Sequence, residues 1–204
     1  MIRVEDQAQV RMIRLDRADK ANALTGGMLD DIATAAGGAA AAGARVLVLT
    51  GAGRVFSAGA DLEAAKAGLA TDPVWERASS AVAAFPGFSI AALNGTLAGG
   101  AFGVALACDC RLAVPGASFF YPVMRLGYLP QPSDPARLTA LVGPARARMI
   151  LMGGARIGAE EALAWGLIDR IAPPDGLIEA ALTLATDALA ADPAHIAAIK
   201  AMVG

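Results

Sequence analysis

The chain has 204 residues, enough for one domain with its own core. Its 17 basic and 19 acidic residues nearly balance and form no basic run, which argues against a nucleic-acid partner. Hydrophobic residues make up 56% but aromatics only 5%, so helices rich in Ala and Gly are expected to pack closely on a sheet.

Ile2–Glu5 and Val10–Leu15 read as two short strands, followed by a polar loop from Asp16 to Leu24. Thr25 is placed to cap a helix carrying Met28, Leu29, Ile32 and Ala36 on one face, with Gly37 and Gly38 in its middle and its end at Gly43. Val46–Thr50 is a continuous apolar run, the pattern of a strand buried on both faces. Asp61 can cap a helix over Leu62–Leu69, and another spans Pro73–Phe85. A strand at Ser89–Leu93 leads through the Asn94-Gly95 turn to Gly99-Gly100 and an uncharged, Ala-rich helix start. No charged residue lies between Arg77 and Asp109, yet Pro86, Gly87, Asn94, Gly95, Gly99 and Gly100 divide that stretch into pieces too short to span a membrane.

Cys110–Val114 reads as a strand, Pro115-Gly116 as a turn and Ser118–Tyr121 as a short extended piece. An irregular loop carries Pro130, Pro132 and Pro135. Helices at Pro135–Leu141, Pro144–Met152 and Ala159–Trp165, a strand at Leu167–Ile171, and helices at Leu177–Ala190 and Pro193–Val203 follow. Strands alternating with helices predict an α/β domain with mainly parallel strands. Cys108 and Cys110 are too close to staple a fold and lack partners for a zinc site, so no metal is expected and a reducing, cytoplasmic setting is the simplest reading. The charged N-terminus is unlike a signal peptide.

Two strand–glycine–helix junctions stand out, Gly51–Leu62 and Asn94–Asp109. A dinucleotide fingerprint fails in the first because Phe56 occupies the third glycine position, and the chain has no Gly-Lys-Ser/Thr for a phosphate loop. The remaining use of paired backbone N–H groups is an oxyanion hole, with Ala60 and Gly100 as donors and the helix dipole behind the second.

Ser57-Ala-Gly-Ala60-Asp-Leu62, Asn94-Gly95 to Gly99-Gly100, and Asp109 resemble the crotonase superfamily, the enoyl-CoA hydratase/isomerase family. So do Lys20–Leu24, Arg125-Leu-Gly127, Arg137-Leu138 and Ala159–Asp169, so the resemblance runs along essentially the whole chain. It implies a spiral of ββα units with two roughly perpendicular sheets wrapped by helices. It also implies an acyl-CoA thioester as ligand, coenzyme A being part of the substrate and no cofactor permanently bound. The thioester oxygen would be held by the Ala60 and Gly100 N–H groups, and the adenine and phosphates by Lys20, Ala21, Ala23, Ala58, Ala60, Asp61 and Leu62. Arg17, Lys20, Arg54 and Lys66 are cations near that path. The family implies a homotrimer or a dimer of trimers, and a core over 1–190 followed by a shortened helical segment, 191–204, where further helices usually cover the acyl site.

By the same resemblance, hydratases carry two glutamates, which fall here at Gly103 and Val123, so both carboxylates are missing. The family's glycine-rich loop is replaced by Gln131-Pro-Ser-Asp-Pro135. Asp134, Tyr128 and Tyr121 are the candidate replacements; capping for Asp134 and core packing for the tyrosines are the plainer roles. Asp61 and Glu63 suit a helix start, and His195 lies on the last helix. The expected activity is enolate stabilisation without two-glutamate hydration, as a lyase or isomerase of fatty acid metabolism, with decarboxylation, thioester hydrolysis or altered isomerisation open. The alternatives are a non-catalytic acyl-CoA binder or carrier, and a scaffold that binds no coenzyme A.

Overall fold

The computed structural model describes residues 1–203, with ten strands and ten α-helices among them. The strands are β1 (Ile2–Gln7), β2 (Val10–Leu15), β3 (Val46–Gly51), β4 (Val55–Ser57), β5 (Phe88–Leu93), β6 (Thr96–Ala98), β7 (Cys110–Ala113), β8 (Ser118–Phe120), β9 (Ile157–Gly158) and β10 (Arg170–Ile171). They form a six-stranded sheet, β1-β2-β3-β5-β7-β10, and a four-stranded sheet, β4-β6-β8-β9. All neighbours are parallel except the β1–β2 and β8–β9 pairs.

The pairs β3/β4, β5/β6 and β7/β8 each send one strand to each sheet. Helices then carry the chain back for the next pair: α2 (Leu62–Lys66) and α3 (Val74–Ala83), α4 (Phe102–Leu106), then α5 (Val123–Leu126) and α6 (Asp134–Leu151). The result is the two-sheet α/β spiral expected from the resemblance. The β3–β4 turn is held by two asparagines. Asn94 accepts from the Gly51 N–H at 2.9 Å and donates to Gly53 O, while Asn22, fully buried, donates to Ala52 O and Val55 O. Such side-chain bonds satisfy turn groups that the ladder leaves free.

α1 (Gly26–Gly37) starts on Thr25, whose hydroxyl accepts from the Met28 N–H, and buries Met28, Leu29, Ile32, Ala35 and Ala36. It ends at Gly37 rather than Gly43, because two consecutive glycines each cost a helix about 1 kcal/mol relative to alanine. β3 is buried along its whole length, as its apolar run requires. The helix after Asp61 stops at Lys66, with a separate 3₁₀ turn at Leu69–Thr71. α6 runs through both predicted helices but breaks at Gly143 (φ 78°) before Pro144. Only Arg170–Ile171 of the predicted Leu167–Ile171 strand is paired.

α7 (Ala159–Trp165), α8 (Leu177–Leu184), α9 (Thr186–Ala190) and α10 (Pro193–Val203) complete the chain. α10 is fastened to the first sheet: Lys200 Nζ donates to Phe85 O and Gly87 O and pairs with Asp109 at 2.9 Å. Arg45 ties down the approach by donating to Leu189 O and Ala191 O. Gly204, the last residue of the expected 191–204 segment, lies outside the described residues. Among the described residues no helix is long and apolar enough to cross a membrane, and the uncharged 78–108 stretch is divided among α3, β5, β6 and α4.

Candidate active site

The two glycine junctions meet. Gly59 has φ +91°, and a Cβ there would fall 2.9 Å from Ala98 O and 3.4 Å from Gly99 Cα. Only glycine permits both that conformation and that approach. Ala60 and Gly100 each follow one of these two touching glycines in the chain. Leu24 donates to Gly59 O and Asp61 donates to Leu24 O, so the backbone bonds around Ala60 skip its own N–H. Gly100 is the second residue of the 3₁₀ turn Gly99–Ala101, where N–H groups have no partner within the helix.

The predicted coenzyme A residues also lie on joined segments. Lys20 ends a 3₁₀ turn, Ala21 has φ +49°, and Ala21 O accepts from the Ala58 N–H at 3.0 Å. The Ala23 N–H bonds back to Lys20 O. Asp61 caps α2 through the Glu63 and Ala64 N–H groups and pairs with Arg17 at 2.7 Å, which also donates to Ala23 O. The Arg17 guanidinium holds the Asp61 carboxyl below the usual carboxylate range. Lys66 pairs with Glu63, whereas Lys20 and Arg54 form no ion pair among the described residues. Leu62 is 77% exposed beside this path.

Asp134 is the unusual group. It is 0% exposed on the first turn of α6, and its carboxyl turns inward rather than capping the helix. Oδ2 accepts from the Tyr121 hydroxyl at 2.8 Å, while Oδ1 is buried with no hydrogen-bond partner in the protein. A Cβ built on Gly103 would lie 2.9 Å from that Oδ1. The carboxyl thus occupies the space before Gly103 that a side chain there would enter. Burial raises the Asp134 pKa to about 7, against the opposing pull of the Tyr121 hydrogen bond and the Arg137 charge. Burial, and then the neighbouring Asp134 charge, push the Tyr121 hydroxyl well above its ordinary value.

Of the two tyrosines, Tyr121 meets Asp134 and Tyr128 does not. Tyr121 continues the inward side of β8, two residues after buried Phe119, and stacks on Phe102 with ring centroids 5.3 Å apart. Tyr128 is 41% exposed, just past the left-handed Gly127 that ends α5. The two-residue period through Phe119 and Tyr121 was the available signal for choosing between them. Val123 is buried at the start of α5, and His195 is exposed on α10. Sequence reasoning also missed Trp75, whose ring lies against Gly100.

A family model described as enoyl-CoA hydratase/isomerase matches residues 5–204. The chain belongs to the enoyl-CoA hydratase/isomerase family. It is 39% identical over 166 residues to the carnitinyl-CoA dehydratase of Escherichia coli K12, covering 76% of this chain and 62% of that protein. The corresponding Salmonella arizonae protein is 38% identical over the same shares. The chain thus spans less than two thirds of the length of these curated relatives. Among solved structures, an enoyl-CoA hydratase subunit I from Geobacillus kaustophilus HTA426 superposes with a TM-score of 0.89 at 35% identity, covering 99% of this chain and 80% of that one. An enoyl-CoA hydratase from Bacillus anthracis gives 0.89 at 32% identity, over 98% and 80%. Family membership agrees with the motifs read from the sequence, and the fold agrees with these structural neighbours.

The space before Gly103 makes a further prediction. A glutamate there would bring its Cβ within 2.9 Å of Asp134 Oδ1 and place a second carboxyl beside a buried one. Gly103→Glu is expected to lower stability by about 2–4 kcal/mol through overpacking and charge burial. Combining it with Asp134→Gly should recover most of that loss in a denaturant titration. Equal stability of Gly103→Glu and the parent would show that the two positions do not share this space.

Proposed function

We propose that the chain binds an acyl-CoA thioester, holds its carbonyl oxygen between the Ala60 and Gly100 N–H groups, and transfers a proton at the acyl chain through Asp134. Ionised Asp134 Oδ1 takes a proton from the α-carbon, and the C–H electron pair becomes an enolate whose negative oxygen lies between the two N–H donors. Protonated Asp134 then returns the proton, to the same carbon or, in a β,γ-unsaturated acyl group, to the γ-carbon. That second outcome is a double-bond isomerisation. The observation that carries this reading is the buried, unpaired Asp134 Oδ1 in front of Gly103.

A carboxyl with a pKa near 7 is populated in both protonation states at neutral pH, which suits a group that must take and return a proton. Two convergent N–H donors suit a developing enolate, and removing one such donor typically costs about 3–4 kcal/mol of barrier. Hydration would require a second carboxylate to hold the water, and Val123 supplies none. Lys20 and Arg54 are the cations left to meet the coenzyme A phosphates, with a homotrimer as the expected assembly. Cytoplasmic residence suits two free cysteines and a coenzyme A substrate.

Calorimetry tests the binding half. Crotonyl-CoA is expected to bind about tenfold or more tightly than S-butyl-CoA, the thioether that lacks the carbonyl oxygen, since each bond to a polarised oxygen contributes about 1 kcal/mol or more. Equal affinities would refute the oxygen-binding role of Ala60 and Gly100. Tight binding of crotonyl-CoA without any exchange of the α-protons of butanoyl-CoA would identify the non-catalytic acyl-CoA binder instead.

A further inference from the structure

Asp134 begins α6, and the loop before it, Gln131–Pro135, is tied to its surroundings by bonds from two residues. The Gln131 N–H donates to the Tyr121 hydroxyl at 3.4 Å, and Gln131 Nε2 donates to Ala70 O, also at 3.4 Å. The shortest of the ties donated by the loop is the 3.2 Å bond from the Ser133 N–H, one residue before Asp134, to Glu76 Oε2 on the first turn of α3. Its acceptor is a carboxylate, and such charge-assisted bonds are roughly twice as strong as neutral ones. The Ser133 hydroxyl adds nothing, since it is buried without a partner and does not cap α6.

No cation pairs with Glu76 among the described residues. Its Oε1 accepts from the Ser80 hydroxyl on the same helix, and the neighbouring Arg77 pairs with Asp30 instead. The charge of Glu76 therefore adds to burial in disfavouring the ionised form of Asp134, while Arg137 opposes it. Tyr121 from β8, Arg137 from α6 and Glu76 from α3 are the titratable groups that face the Asp134 carboxyl, and α4 presents only Gly103 there.

We propose that Glu76 is a positioning residue for Asp134: it anchors the loop that turns the carboxyl inward and keeps an unpaired negative charge near it. The inference rests on Asp134 as the acid–base group of the proposed reaction. Glu76 acts through Asp134 and takes no proton itself. A first-turn glutamate also suits the helix dipole, a role that would move stability but neither readout below.

The test follows the entry of solvent deuterium at the α-carbon of butanoyl-CoA against pH in the parent, Glu76→Ala and Glu76→Gln, with calorimetric affinity for crotonyl-CoA beside it. Glutamine keeps an oxygen for the Ser133 N–H but carries no charge, and alanine offers neither. Glu76→Ala is expected to lower the level rate at high pH about tenfold or more with little change in affinity, the effect of a misplaced reacting group. Glu76→Gln should restore most of that rate. Its pH midpoint should nevertheless fall by about half a unit, since one repelling charge has gone. A parent-like level rate in folded Glu76→Ala would overturn the proposal. A parent-like midpoint in Glu76→Gln would overturn it whether or not Glu76→Ala folds. Absence of exchange in the parent would instead remove the acid–base reading of Asp134, and this inference with it.

Discussion

Asp134→Asn is expected to slow the entry of solvent deuterium at the α-carbon of bound butanoyl-CoA by about 10²–10⁴-fold, the usual contribution of a positioned acid–base group. Asparagine keeps the size of the side chain and can still accept the Tyr121 hydrogen bond, so the pocket and the affinity for the thioester should change little. Only the capacity to take the proton is removed. In the parent the exchange rate should rise with pH through about 7 and then level, because the ionised carboxyl is the base. In the variant the residual rate should lack that step. Mass spectrometry of the recovered thioester reads both effects, and a parent-like rate in Asp134→Asn would remove Asp134 from the chemistry.

The same substitution should make the protein more stable at neutral and alkaline pH. Burial raises the folded-state pKa of Asp134 from 3.8 to about 7, so between these values the folded chain holds a proton that the unfolded chain has released. The unfolded state binds fewer protons there, and stability must fall as pH rises through this window. The stabilising protonated form is fully present below about pH 4 and lost above about pH 7. A shift of this size corresponds to roughly 4 kcal/mol across the window. Urea titrations of both proteins at pH 5 and pH 8 isolate it: the difference between parent and Asp134→Asn should widen in favour of the variant at pH 8. A difference independent of pH would mean that Asp134 titrates normally. Activity and stability thus make opposite demands on one side chain, as expected where a site holds a buried charge for its chemistry.

The parts of the fold legible in the sequence are those whose signal is local. Val46–Thr50 shows its burial as an unbroken apolar run, Thr25 marks the start of α1, and Asp61 caps α2 as its position implied. β4 and β6 are three residues each, too short for a two-residue period to register, so of the second sheet only β8 shows in the sequence, as the extended piece Ser118–Tyr121. Gly59 and Gly99 were visible as glycines, but their contact joins residues forty apart and needs the folded spiral to exist. The family resemblance, rather than the spacing, linked Ala60 to Gly100.

Asp134 presents the sharper case. Its neighbours Ser133 and Pro135 make it look like a turn residue, and nothing local shows that its carboxyl faces inward. The pairing with Tyr121 depends on β8 and the start of α6 meeting, and the vacancy at Gly103 comes from a third element, α4. Tyr128, on the other side of Val123 in sequence, lies past a left-handed turn and reaches solvent instead. Gly103 and the loop at Gln131–Pro135 are two separate features in the sequence, read there from the resemblance alone. In space they are one: the carboxyl from the loop fills the room that the glycine leaves.

A crystal structure with crotonyl-CoA bound tests that claim most directly. The thioester oxygen should lie within hydrogen-bond distance of both the Ala60 and Gly100 N–H groups, with Asp134 Oδ1 about 3–3.5 Å from the α-carbon and nearer to it than any other titratable group. A bound thioester with its oxygen elsewhere, or with Asp134 still sealed behind side chains and another acid or base at the α-carbon, would contradict the account.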